Sequence, residues 1–172
     1  MIQVHPTAII DEGAQIGDGT KIWHFAHIRS TAVIGKNCVI SKGVYIDVDV
    51  KIGDRCKIEN GVSVFKGVLL EDDILVGPNV SFTNDLTPRA FKKDWEPDTT
   101  LVRTGVGIGA GSVIICGIEL GTYSMVGAGS IVTKDVPPYG LVFGQPARFV
   151  GWICKCGRAQ IQQGLLCPEC RK

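Results

Sequence analysis

From Val4 onward an aliphatic or aromatic residue returns at every sixth position: Ile10, Ile16, Ile22, Ile28, Ile34, Ile40, Ile46, Ile52, Ile58, Val64, Leu70, Val76 and Phe82 follow without a gap. Most hexads place a smaller residue four positions later, as at Ala8, Ala14, Thr20, Ala26, Ala32, Cys38, Val44 and Cys56. An even period keeps step with the two-residue alternation of a strand and drifts against a 3.6-residue helix, so the pattern predicts short strands and no helices. Gly17, Gly35 and Gly53 recur every 18 residues, as do Gly43 and Gly61. Three hexads therefore make one turn, residues 18 apart stack, and glycine is expected to give the corners their backbone freedom. The fold predicted is all-β: a three-sided parallel β-helix of about six or seven turns.

Such a repeat has to stack. One turn buries three aliphatic residues at roughly 1.5–3 kcal/mol each, whereas ordering its residues costs roughly 1–2 kcal/mol apiece. Beyond Phe82 the next inward residue is Val102, 20 positions on and out of step with six, so residues 83–101 are read as an inserted loop. The repeat then resumes through Ile108, Ile114, Leu120, Val126 and Val132 and is expected to end at Pro137 and Pro138. The loop holds Asp85, Arg89, Lys92, Lys93, Asp94, Glu96 and Asp98; a polar loop of this length is an active-site arm or a solvated flap. Trp23, Phe25, Tyr45, Val48 and Phe65 fall at outward positions and suggest that one side of the prism packs on further copies, as a homotrimer.

Composition narrows the function. The net charge is +1, which argues against nucleic acid or anionic lipid as a partner. Neither a spanning apolar stretch nor a secretory leader is visible, so the expected compartment is the cytoplasm and no membrane is expected as a partner. Seven cysteines without an export signal read as packing residues or metal ligands rather than disulfides.

The hexads, together with Val132-Thr133-Lys134-Asp135-Val136-Pro137-Pro138-Tyr139 and Gly144-Gln145-Pro146-Ala147-Arg148, resemble the left-handed β-helix acyltransferases over roughly residues 1–152. Within them, Ile22-Trp23-His24-Phe25-Ala26-His27, Leu70-Glu71-Asp72-Asp73, Phe82-Thr83-Asn84 and Pro88-Arg89 resemble enzymes that acetylate UDP-2-acetamido-3-amino-2,3-dideoxyglucuronate. Enzymes acting on dTDP-3-amino-3,6-dideoxyhexoses share much of this pattern and give the second acceptor; O-acetylation on the same scaffold is the nearer rival chemistry. The resemblance implies left-handed coiling, a trimer with sites between subunits, and two substrates, acetyl-CoA beside the later turns and a nucleotide-linked amino sugar near the earlier ones.

Residue types fit those implications. Gly109, Ala110, Gly127 and Ala128 would let pantetheine approach the backbone, or serve only corner geometry. Lys134 and Arg148 suit the cofactor phosphates. Amine acetylation depends mainly on positioning, worth up to roughly 7–11 kcal/mol, so a dedicated base is optional and direct attack by the amine is expected. Asn84 can orient the amine or the acyl carbonyl, since its amide both donates and accepts. Asp85 takes the ammonium proton or caps the loop. His24, at an outward position, binds substrate or acts as base, with His27 a weaker candidate. Arg89 suits a sugar carboxylate or pyrophosphate.

The last segment, 151–172, carries Cys154-Lys155-Cys156 and Leu166-Cys167-Pro168-Glu169-Cys170, four thiols at spacings that resemble a small zinc ribbon. Structural zinc is expected, with no open position for catalysis. Residues 1–150 and this tail are read as separate units. Cys38 and Cys56 are expected inside, and Cys116 falls at an outward position. A metal-dependent hydratase on this scaffold would need three suitably spaced histidines; only His5, His24 and His27 exist. A non-catalytic scaffold is disfavoured by the cofactor-like terminal motif.

Overall fold

The structure, a computed structural model, describes residues 1–158, 160–162 and 167–171; Leu166 and Lys172 of the tail lie outside the described residues. The hexads form strands, mostly two residues long, joined by tight turns. Every third strand pairs in parallel with the one before, in registers such as Gln3↔Lys21 and Val4↔Ile22. Three faces result. The first begins with Gln3–Val4 and Lys21–Ile22, the second with Ile9–Ile10 and His27–Ile28, and the third with Gln15–Ile16 and Val33–Ile34. In the two-residue strands of the prism the second residue points inward, so that Ile28, Ile40, Ile46, Ile58, Ile108, Ile114 and Leu120 are fully buried in one continuous column. The β-branched side chains suit these short strands, and each rung hydrogen-bonds to the next, which is how single turns too small to stand alone become a fold.

The corner glycines divide: Gly43 and Gly61 have the left-handed backbone expected of them, and the other three are small for a different reason. Gly17, Gly35 and Gly53 do not have positive φ; a Cβ on Gly17 would sit 2.5 Å from the carbonyl carbon of Gly35 and 2.7 Å from the Lys36 amide. They are small because successive rungs approach closely at that corner. Left-handed backbone occurs elsewhere, at Gly43 and Gly61 and also at Phe25, Asn37, Arg55 and Asn79. The buried polar Thr20 is satisfied: its hydroxyl donates to Gly35 O at 2.8 Å and accepts from the Cys38 amide at 3.0 Å. Cys38 and Cys56 lie inside as expected, their thiols donating to Gly53 O and Glu71 O, both at 3.1 Å.

After Ser81–Phe82 the chain leaves the second face and rejoins the third at Thr100–Val102, where Val68 pairs with Thr100 and Leu70 with Val102. The wall thus resumes at Thr100, two residues earlier than the period of inward residues indicates, because the Thr100 amide donates to Gly67 O at 2.9 Å. Rungs on either side remain in register, as in Leu75↔Gly107. Cys116, outward by its position, is 2% exposed. The returning loop brings Asp98 over it, 3.9 Å from its sulfur, and its amide donates to Thr83 Oγ1 at 2.9 Å.

Pro137 and Pro138 do not end the solenoid. They pass over Gly121, whose missing Cβ would meet Pro137 C at 2.8 Å, at a corner where the prolines' lack of N–H groups is tolerated. Gly140–Gly144 then adds a further parallel strand to the first face, pairing with Met125–Val126. A hairpin follows: Ala147–Ile153 runs antiparallel to Gly140–Gly144, and Gln160–Ile161 pairs with Trp152 and Ile153. Ala147–Ile153 carries the chain without a break from the prism into the cysteine segment.

Candidate functional site

The corner between the first and second faces carries His24. Its ring stacks on His5 with centroids 3.6 Å apart and an interplanar angle of 27°, and Trp23 lies nearly parallel at 6.2 Å. A cavity of about 240 Å³ opens beside them, lined by Trp23, His24, Ser41, Lys42 and Asn60. Phe25, at φ 57° and 62% exposed, occupies a backbone conformation that a bulky residue seldom adopts.

Asn84 and Asp85 lie on a different corner, between the second and third faces, where the loop departs. Within one chain the structure does not bring them to His24. Asn84 Nδ2 donates to Lys66 O at 3.3 Å, and its own carbonyl accepts the Asp98 amide at 3.0 Å, closing the neck of the loop. Asp85 Oδ1 accepts the Thr87 amide at 2.7 Å, the contact a loop cap makes, and lies 3.8 Å from Lys92 Nζ. Asn84, Asp85, Arg89, Lys92 and Trp95 line a common cavity of about 530 Å³. Arg89 donates from one guanidinium nitrogen to Pro88 O at 2.7 Å. The loop therefore gathers an amide, a carboxylate and two cations around one space.

His27 sits on the second face. Its Nε2 lies 3.0 Å from Asp11 Oδ1, while Arg29 Nε donates to Asp11 Oδ2 at 2.9 Å. The His27 hydrogen bond, with help from Arg29 and against some desolvation, holds the Asp11 carboxyl below its ordinary range. The sequence missed how this cluster continues: Arg29 donates to Tyr45 Oη at 3.1 Å, and Tyr45 donates to Asp47 Oδ1 at 3.0 Å. Residues stacked about 18 apart were the available signal.

Higher on the first corner, the expected pantetheine glycines divide by cause. A Cβ on Gly109 would collide with the Ala128 amide and lie 2.8 Å from Gly127 C; one on Gly127 would lie 2.6 Å from Phe143 Cβ. Both are required for rungs to stack. Gly111 and Gly129, which sequence reasoning missed although they too are 18 apart, have φ of 66° and 69° and nothing within 4 Å of a notional Cβ. They leave a strip free of side chains on that corner, although their amides already donate to Pro78 O and Ala110 O and Gly129 O accepts Gln145 Nε2. Lys134 and Arg148 come together on a cavity of about 210 Å³ at the far end of the prism, with Val132, Ala147 and Phe149.

In the tail, the sulfurs of Cys154, Cys156, Cys167 and Cys170 all lie within 4.8 Å of one another, and Cys156 and Cys167 are 3.6 Å apart. Tetrahedral zinc with bonds of about 2.3 Å separates thiolates by about 3.8 Å, so the donor set and its spacing fit. Backbone amides of Cys167 and Cys156 lower the Cys154 thiol to about 6, while hydrogen bonds with Cys154 and Cys156 push Cys170 up to about 12.

A stacked solenoid of hexads with a polar arm and a strip free of side chains defines a class, and sequence comparison agrees with it. The family model for the bacterial transferase hexapeptide (six repeats) matches residues 13–48 and 31–66, and the hexapeptide repeat of succinyl-transferase matches 104–134. The chain belongs to the hexapeptide-repeat acyltransferases. It is 46% identical over 153 residues to the dTDP-3-amino-3,6-dideoxy-α-D-galactopyranose 3-N-acetyltransferase of Aneurinibacillus thermoaerophilus, covering 89% of this chain and 79% of that protein. A hexapeptide-repeat acetyltransferase of Vibrio cholerae solved with acetyl coenzyme A superposes with a TM-score of 0.57 at 28% identity, covering 67% of each chain. A variant of the GDP-perosamine N-acetyltransferase of Caulobacter crescentus, solved with CoA and GDP-perosamine, shares the fold at a TM-score of 0.63 and 23% identity, covering 87% of this chain and 56% of that one. Among the described residues no helix is long and apolar enough to cross a membrane.

Proposed function

We propose that this protein transfers acetyl from acetyl-CoA to the 3-amino group of a dTDP-linked 3-amino-3,6-dideoxyhexose. The observation that carries the reading is the 46% identity, over most of both chains, to an enzyme whose name specifies that acceptor. It favours the second acceptor expected from the sequence over the UDP-linked glucuronate.

The neutral amine attacks the thioester carbonyl, a C–N bond forms as the C–S bond breaks, and the departing thiolate takes the proton released by nitrogen. Asn84 orients the nucleophile. Its Nδ2 is engaged with Lys66 O and the residue lines the loop cavity, so in this reading Oδ1 is the group left to accept an amine N–H, with the nitrogen lone pair directed at the thioester. Arg89 and Lys92 supply positive charge for the acceptor's diphosphate. Gly111 and Gly129, lacking side chains, give pantetheine a surface to lie against, and Lys134 and Arg148 supply positive charge for the cofactor phosphates.

Asn84 and the bare strip lie on different corners of one prism, so the reading includes a left-handed, cytoplasmic homotrimer in which a neighbouring copy's corner brings the thioester to Asn84. The cysteine tail, 151–172, is a separate zinc-binding unit whose metal is structural; Cys154, Cys156, Cys167 and Cys170 hold it. No nucleic acid or membrane partner is included.

The test is thiol release from acetyl-CoA with a panel of dTDP- and UDP-linked 3-amino sugars and their 3-hydroxy counterparts. Expected is a kcat/KM for the dTDP-linked deoxy sugar at least about 100-fold above that for the UDP-linked uronate, within the range by which one mismatched substrate group lowers kcat/KM. The opposite order overturns the acceptor assignment. Turnover of the hydroxy sugars alone would make the enzyme an O-acetyltransferase.

A further inference from the structure

We propose that Asp47 is a positioning residue for Asn84, and through it for the attacking amine; the inference rests on the role given to Asn84 above. Asp47 stands on the same corner as Asn84, two rungs below it. Its Oδ1 accepts from Tyr45 Oη at 3.0 Å and from the Val48 amide at 2.8 Å, and its Oδ2 accepts from the Lys66 amide at 3.2 Å. Lys66 is the residue whose carbonyl receives Asn84 Nδ2. One residue thus has its N–H fixed by Asp47 and its C=O fixing Asn84.

Lys66 is held from further sides. Its ammonium lies 3.3 Å from Asp49. The next residue, Gly67, has φ 96°, accepts the Thr100 amide at 2.9 Å, and has Pro97 where a Cβ would stand. Lys66, on which Asn84 depends, is therefore held on its amide side by Asp47 below and on its carbonyl side by the contacts of Gly67 with the returning loop. Tyr45 extends the clamp downward, since its hydroxyl accepts from Arg29, which in turn grips Asp11. The result is an unbroken series from the first turns of the prism to the candidate reacting centre.

Carboxylates brace the backbone at other corners too, and what distinguishes Asp47 is the residue it holds. On the corner between the third and first faces, Asp54 and Asp72 also accept backbone N–H groups, but they reach back exactly one turn, to Lys36 and Asp54 at a separation of 18. Asp47 reaches forward across 19 residues to Lys66, one turn below Asn84, as Glu71 reaches forward to the Thr104 amide, but the residue Asp47 holds is the one whose carbonyl receives Asn84 Nδ2. It uses both oxygens in doing so, which an amide cannot reproduce: in Asp47→Asn the NH₂ group faces a donor, either Lys66 N–H or the Tyr45 and Val48 pair.

The test is steady-state kinetics on the full protein with acetyl-CoA and the amino sugar. Asp47→Asn is expected to lower kcat roughly tenfold or more, because angstrom-scale misplacement of a reacting group can cost about 100-fold. The KM for acetyl-CoA stays within about twofold, since that substrate's groups lie elsewhere. Tyr45→Phe, which keeps the carboxylate, lowers kcat by a smaller factor. The decisive readout is the double variant: added to Asn84→Ala, Asp47→Asn lowers kcat no further, whereas a merely structural role gives losses that multiply. A wild-type kcat in Asp47→Asn, or multiplying losses, overturns the proposal. If Asp47→Asn does not fold by circular dichroism, Tyr45→Phe takes its place in the same cycle, and a wild-type kcat there overturns it equally. A wild-type enzyme that ignores amino sugars would instead refute the function on which the inference rests.

Discussion

Gly109 and Gly111 stand two residues apart in one turn, yet alanine should harm them in opposite ways. At Gly109 a Cβ collides with the Ala128 amide and lies 2.7 Å from Ala128 Cα and 2.8 Å from Gly127 C, all of them backbone atoms that no rotamer change can move. Relief requires the rungs to part by the better part of an ångström. That strains the hydrogen bonds flanking the contact, from Gly109 N to Val126 O and from Gly129 N to Ala110 O, both 2.8 Å long. Two bonds at about 1 kcal/mol each, with overpacking of about 1–3 kcal/mol, give a loss of about 3–5 kcal/mol, or a midpoint lowered by roughly 6–20 °C in a chain of this size. At Gly111 a Cβ meets nothing within 4 Å, and the cost is the left-handed backbone at φ 66°, about 1 kcal/mol. The added methyl projects instead into the strip assigned to pantetheine. Gly111→Ala is expected to stay within about 4 °C of wild type while its KM for acetyl-CoA rises severalfold. Thermal unfolding at one fixed protein concentration and acetyl-CoA kinetics read the two effects. A Gly109→Ala protein as stable as wild type, or an unchanged KM in Gly111→Ala, would refute the division.

His24→Ala is expected to slow turnover without abolishing it, since amine attack needs no dedicated base; complete loss with substrate binding intact would contradict direct attack. Acid should destabilise the prism. Asp11 and Asp73 lie below their ordinary value of 3.8, held there chiefly by hydrogen bonds from His27 and Arg55. Glu119 lies below 4.5 beside Arg103; Glu71 does so too, burial pushing it up but the Arg103 and Thr104 hydrogen bonds prevailing. Because folded values are depressed, these pairs stabilise fully above the unfolded values and lose that contribution as pH falls through the folded ones. The unfolding midpoint should therefore be flat down to about pH 5 and drop below about pH 4; a midpoint that rises on acidification would contradict the assignment. Metal analysis of freshly purified protein should give one zinc per chain, and Cys154→Ser should lower both zinc content and the stability of the tail. A full complement of zinc in that variant would remove Cys154 from the ligand set.

The prism was legible because its determinants are local and periodic: each inward residue is one step of six from the last, and pairing at 18 follows without knowledge of anything distant. Features created by stacking were harder to read. Gly17, Gly35 and Gly53 were placed correctly but given the wrong cause, since the contact that demands them belongs to the next rung. Cys116 counted as outward until the loop folded over it. Pro137 and Pro138 looked terminal because the helix-breaking sense of proline is local, while the tolerance of that corner for missing N–H groups is not. For the candidate site, Asn84, Asp85 and Arg89 do converge on one cavity, and the four cysteines converge in the tail. His24 lies on another corner, and the Asp11–Arg29–Tyr45–Asp47–Lys66 series escaped notice because it joins residues from four successive rungs.

The most direct test of the central claim is a product analysis: incubate the protein with acetyl-CoA and dTDP-3-amino-3,6-dideoxygalactose, then record the mass and proton NMR spectrum of the sugar nucleotide. The account predicts a gain of one acetyl group, carried on the nitrogen at C3, with free CoA formed in equal amount. An unmodified sugar, or an acetyl group on oxygen with the amine intact, would contradict it.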